Sequence, residues 1–120
     1  MTELQIITKW EDMIDYGYTA LRQYPTAEKY ALAQETKQSL WGLGTMLVRA
    51  HAIRNPRERL RHLMRADHEL ARLRILVRAG HRLRFLASRK YHHWSGLNSE
   101  LGKMLGGWIA TARRGVAGNG

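Results

Sequence analysis

Apolar residues along this 120-residue chain recur every three or four positions, the spacing of amphipathic α-helices. Strict alternation and β-branched runs bounded by turn clusters are missing, so the pattern predicts an all-α chain. Four helices are expected. The first, over residues 2–24, repeats Ile6, Trp10, Met13/Ile14, Gly17, Leu21 and Tyr24. Pro25-Thr26 ends it, and the second starts at Thr26, whose hydroxyl is suited to capping while Glu28 sits in the positive first turn. It runs to Ile53 through Leu32, Leu40, Leu43, Leu47 and Ala50.

Asn55-Pro56 supplies the next break, because proline is tolerated in the first turn of a helix and disruptive inside one. The third helix, over residues 56–90, carries the row Leu63, Ala66, Leu70, Leu73, Val77 and Gly80, widened by Leu60, Leu76, Leu83 and Leu86. A link over residues 91–97 containing Ser95-Gly96 leads to the fourth, which opens near Asn98/Ser99 and shows Leu101, Met104/Leu105, Trp108 and Ala112. Residues 115–120 are expected to form a flexible C-terminal tail, leaving residues 1–114 as one domain.

Four amphipathic helices with short connections favour an antiparallel up-down-up-down four-helix bundle. Trp10, Tyr30, Trp41 and Trp108 are then expected in its core, while Tyr91 and Trp94 cover the end of the bundle or stack on bases. Gly102, Gly106 and Gly107 fall inside the fourth helix, where each costs about 0.5–1 kcal/mol relative to alanine. Together with Trp108 they mark a candidate packing or oligomer interface, with another backbone approaching closely.

The absence of cysteine excludes a disulfide framework and thiolate chemistry. No run of apolar residues suffices to span a bilayer and the first residues lack the pattern of a signal peptide, so a cytoplasmic protein is expected.

Charge changes the picture most. Twenty Lys+Arg against ten Asp+Glu leave +10. Residues 1–48 hold four basic and six acidic residues, or −2; residues 49–90 hold thirteen and three, or +10; residues 91–120 hold three and one, or +2. On a helix turning about 100° per residue, Arg57, Arg61, Arg65 and Arg72 share a sector of about 80°, and Arg78, Arg82 and Arg89 share an adjoining one. Both lie away from the apolar row. Only Glu58, Asp67 and Glu69 are available to offset them. Arginine's planar donor fork suits phosphate, so a polyanion-binding ridge is expected.

Catalytic constellations are not found. The six histidines form no zincin-type spacing, and neither a metal nor a cofactor is expected. The function predicted from the residues is therefore binding, with nucleic acid or an acidic protein surface as the partner.

Three segments carry a resemblance: Tyr24-Pro25-Thr26-Ala27-Glu28-Lys29-Tyr30-Ala31-Leu32-Ala33, Leu70-Ala71-Arg72-Leu73-Arg74, and Leu101-Gly102-Lys103-Met104-Leu105-Gly106-Gly107-Trp108-Ile109. In order and spacing they resemble the accessory variability determinant (Avd) proteins of diversity-generating retroelements. The first is shared with the four-helix proteins encoded in ribosomal intervening sequences. Those typically continue helix two with a Ser-Ile-Pro-…-Asn-Ile-Ala-Glu-Gly signature, which this chain replaces with Leu43-Gly44-Thr45-Met46-Leu47-Val48-Arg49-Ala50.

The resemblance implies a homopentameric barrel of basic bundles, non-catalytic, that binds reverse transcriptase and RNA or DNA in mutagenic complementary-DNA synthesis. The nucleic-acid or partner-binding candidates are Arg72, Arg74, Arg78, Arg82, Arg84, Arg89, Lys90, Arg113 and Arg114, of which Arg72, Arg74, Arg113 and Arg114 sit in or beside the matched motifs. Arg84 lies near the apolar row by angle and is also a candidate for a structural or intersubunit contact. An adaptor for an acidic protein, or an intervening-sequence-type bundle, are the alternatives.

Overall fold

The computed structural model describes residues 3–118 and is all-α, with no strand among them. Its helices are α1 (Glu3–Leu21), α2 (Leu32–Ala52), α3 (Pro56–Arg82) and α4 (Ser88–Gly118). Each packs on two others: α1 on α2 and α4, and α3 on α2 and α4. The result is a rod of 51 × 24 × 20 Å. No helix among the described residues is long and apolar enough to cross a membrane.

α1 buries Ile6, Met13, Gly17, Ala20 and Leu21, the expected stripe, with Trp10 half-buried beside it. Tyr24 is buried just past its end. The predicted start of the second helix at Thr26 is corrected. Thr26–Glu28 make a single 3₁₀ turn, Ala31 leaves the helical region at φ −121° and ψ −105°, and α2 begins only at Leu32. Glu28, rather than Thr26, faces the new helix start, its carboxylate accepting from the Leu32 N–H at 3.5 Å. This break leaves Tyr30 91% exposed, so its expected place in the core is also corrected.

α3 starts as predicted. Asn55 Oδ1 accepts from the Glu58 N–H at 3.1 Å, capping a helix whose first residue is Pro56. It ends eight residues earlier than expected, at Arg82. Arg84 takes the left-handed conformation at φ 66°. Its N–H donates to His81 O at 3.0 Å while the Phe85 N–H donates to Gly80 O at 2.9 Å. These two bonds are the Schellman termination, with arginine where glycine is usual. Leu86 then turns inward and Leu83, at the helix cap, stays exposed.

α4 therefore begins at Ser88 and absorbs residues 91–97, which were expected to form a link. The inward row starts at Tyr91 and continues through Trp94, Asn98, Leu101, Leu105, Trp108 and Ala112. Trp94 is fully buried against Gly17 of α1, inside a helix rather than in a link. Gly96 is tolerated because it faces solvent, where a Cβ would meet nothing within 4 Å. α4 also runs through Gly118, so residues 115–118 of the predicted tail are helical; Asn119 and Gly120 lie outside the described residues.

Trp108 is buried as expected and Trp41 is not. Trp41 is half-exposed on the outer side of α1 and α2, edge-on to Trp10 and donating from Nε1 to the Tyr18 hydroxyl at 2.8 Å. A glycine does permit a close approach on α2, by a side chain: a methyl at Gly44 would overlap the Trp10 indole, which donates from Nε1 to Leu40 O at 2.8 Å.

Candidate nucleic-acid interface

Every arginine of α3 except Arg59 is exposed, because the helix spends its other side on the Leu63–Val77 row. Arg59 folds inward. Its Nε donates to Ala50 O and Ile53 O at 2.9 Å, and its Nη1 lies 3.3 Å from Glu3 Oε1. The other Glu3 oxygen meets His51 Nδ1, so one carboxylate ties the start of α1 to the α2–α3 corner. Arg72 pairs loosely with Glu69 one turn back, at 3.6 Å. Arg57, Arg61, Arg65, Arg74, Arg78 and Arg82 have no carboxylate within 4 Å among the described residues.

α4 returns along α3, and this divides the predicted site residues into two groups. Arg113 Nη2 reaches Met64 Sδ at 3.6 Å, and Gly115 lies against Pro56, so Arg113 and Arg114 sit beside the first half of α3. Arg114 bonds Thr111 Oγ1 at 3.1 Å. Arg78 and Arg82 belong to the far end, where His81 faces Ser88 across the turn. At about 1.5 Å per residue, Met64 and Arg82 are about 27 Å apart along the axis. Within one chain, Arg78, Arg82 and Arg84 therefore lie toward the other end of α3 from Arg113 and Arg114. The tail arginines instead share the level of Arg57, Arg61 and Arg65.

Arg84 is exposed in the α3–α4 turn and makes no ion pair among the described residues. Arg89 and Lys90 are in the first turn of α4, not on α3, and complete a basic cluster around that turn with Arg78 and Arg82. Ile75, 63% exposed, and Leu83, 58% exposed, lie among these cations.

The glycines of α4 separate by face. At Gly102 a Cβ would come within 2.5 Å of Arg74 Nη2, so the close neighbour is a guanidinium rather than a backbone. At Gly106 and Gly107 it would meet nothing within 4 Å, leaving an open small-residue face above buried Trp108.

Sequence reasoning missed a set of α4 residues facing α3. Tyr91, Ser95, Asn98 and Ser99 line a cleft with Arg74 and Arg78. Their i, i+4, i+7, i+8 spacing is the helical signal that exposes them, hidden while residues 91–97 are taken as a link.

No curated protein matches the chain. A family model described as bAvd-like matches residues 4–112, from the first turn of α1 to the last buried residue of α4. Since bAvd denotes the Avd proteins of diversity-generating retroelements and the match spans all four helices, the chain belongs to the bAvd-like family.

Proposed function

We propose that this protein is a non-catalytic accessory factor of a diversity-generating retroelement, binding template RNA or an RNA/DNA hybrid through the arginines of α3 and the α3–α4 turn. It associates with the reverse transcriptase in the cytoplasm and supports mutagenic complementary-DNA synthesis. The chain is an up-down-up-down bundle that assembles into a homopentameric barrel, with the open face at Gly106 and Gly107 as an intersubunit surface. The observation that carries the reading is the row of exposed α3 arginines without carboxylate partners, in a chain of the bAvd-like family. Uncompensated like charges on one ridge repel each other until an external polyanion neutralises them.

Arg78→Glu combined with Arg82→Glu is expected to abolish binding of structured RNA with helix content unchanged by circular dichroism. RNA binding that persists with an unchanged salt slope would place the site elsewhere. A second reading, an adaptor for an acidic protein surface, is favoured by Ile75 and Leu83 exposed among the arginines. A titration with structured RNA at near-physiological salt that shows no binding selects it.

A further inference from the structure

The cleft between α3 and the first half of α4 encloses about 160 Å³ and is lined by Arg74, Arg78, Tyr91, Ser95, Asn98 and Ser99. At about 30 Å³ per water it has room for about five waters, the scale of one tetrahedral oxyanion. We propose that it is a binding site for a single phosphate group that brings a hydroxyl donor with it.

Arg74 and Arg78 are one helical turn apart and project to the same side of α3. Neither has a carboxylate partner among the described residues. Arg74 is already oriented: its guanidinium lies across Gly102 and its Nη2 donates to Asn98 O at 3.2 Å. That bond engages one of its five N–H donors and fixes the plane of the rest. Ser95 and Ser99, one turn apart on α4, add hydroxyls that donate to an anion.

Asn98 supplies the independent observation. It is 1% exposed and is one of the residues that line the cleft, and its Oδ1, shielded from solvent in this conformation, has no hydrogen-bond partner. Buried polar atoms are rarely left so. Oδ1 is an acceptor, so the ligand that completes the site, met by a turn of the Asn98 side chain toward the cleft, carries a donor beside its negative oxygens. A protonated phosphate oxygen meets this requirement, and so does the 2′-hydroxyl next to a ribonucleotide phosphate. Sulfate and an internal DNA phosphodiester do not.

The test is a titration of the full chain, labelled with ¹⁵N, with inorganic phosphate and separately with sulfate at matched ionic strength and neutral pH. Phosphate is expected to move the Asn98 side-chain amide and the Ser95 and Ser99 backbone amides saturably, and sulfate at least fivefold more weakly. Ser95→Ala with Ser99→Ala, which leaves the charge intact, is expected to weaken phosphate binding about tenfold. Gly102→Ala, which displaces the Arg74 guanidinium, is expected to weaken it as well. Equal responses to the two anions, or unmoved cleft amides, overturn the proposal.

Matched RNA and DNA oligonucleotides then identify the source, and only this arm rests on the nucleic-acid reading. RNA that moves the cleft amides more than DNA assigns the site to the nucleic-acid backbone. Phosphate binding without any RNA binding keeps the cleft as a site for a small phosphate while the nucleic-acid reading fails.

Discussion

Tyr24 is 2% exposed, its hydroxyl has no hydrogen-bond partner, and burial pushes its pKa from 10.0 up to about 12. The phenol sits against Gly80, where a methyl would overlap its oxygen, and its ring lies 5.6 Å from Phe85, the residue that closes the α3 terminus. Ionisation therefore occurs more readily in the unfolded chain. For a group whose pKa is raised on folding, the associated stability is complete below pH 10 and is lost as pH rises towards 12. The full difference is about 2.7 kcal/mol at about 1.4 kcal/mol per unit, of which about 1.3 kcal/mol is lost between pH 9 and pH 11.

Tyr24→Phe removes this loss, because the other tyrosines and the lysines remain in both proteins. It is also expected to be about 1 kcal/mol more stable at pH 7, having no stranded hydroxyl to bury. Urea unfolding followed by circular dichroism at pH 7, 9, 10 and 11 gives both numbers. Parallel decline of the two proteins from pH 9 to pH 11 would refute the reasoning, as would a titration at 295 nm in which every tyrosinate appears near pH 10.

Gly44→Ala is expected to destabilise the fold by about 2 kcal/mol, since overpacking against the Trp10 indole outweighs a helix-propensity gain of about 1 kcal/mol. Urea unfolding measures it, and unchanged stability would mean that the indole yields freely. Arg84→Gly is expected to stabilise by about 0.5–1 kcal/mol, because the left-handed position strains an L-residue by about 1–2 kcal/mol and glycine loses more entropy on folding. The thermal midpoint rises by about 2–4 °C if so, and a fall contradicts the assignment of that strain.

Most of the fold was legible where a local signal coincided with the tertiary one. Asn55-Pro56 carries both a cap and a first-turn proline, and α3 starts there. The α3–α4 boundary was hidden because Leu83 and Leu86 keep the helical period and an arginine fills the position where glycine would announce a stop. Ser95-Gly96 then suggested a break at a point that a helix tolerates on its solvent side. Trp41 was misplaced for a geometric reason. It is adjacent to Leu40, and neighbours on a helix differ by about 100°, so only one of them faces the core.

Glycine identity likewise does not disclose a face. Gly44 lies in the buried row of α2 and marks a close approach, whereas Gly106 and Gly107 point outward. The exposure of the arginines followed from angular reasoning alone. Their grouping did not, because it depends on how far α4 runs back along α3.

The lopsided charge has a consequence for motion before any contact is made. Residues 1–48, which form α1 and most of α2, carry −2, and the remainder carries +12. A rod charged in this way has a large dipole moment across its short axis, and in the field of a polyanion it experiences a torque as well as a pull. Its collisions are biased towards those that lead with α3, and the acidic side with its Trp10–Trp41–Tyr18 cluster is turned outward. Orientation is thus selected during diffusion, on a length scale set by the Debye length of about 8 Å at physiological salt. Dilute buffer sharpens that alignment and concentrated salt erases it, with every contact surface unchanged.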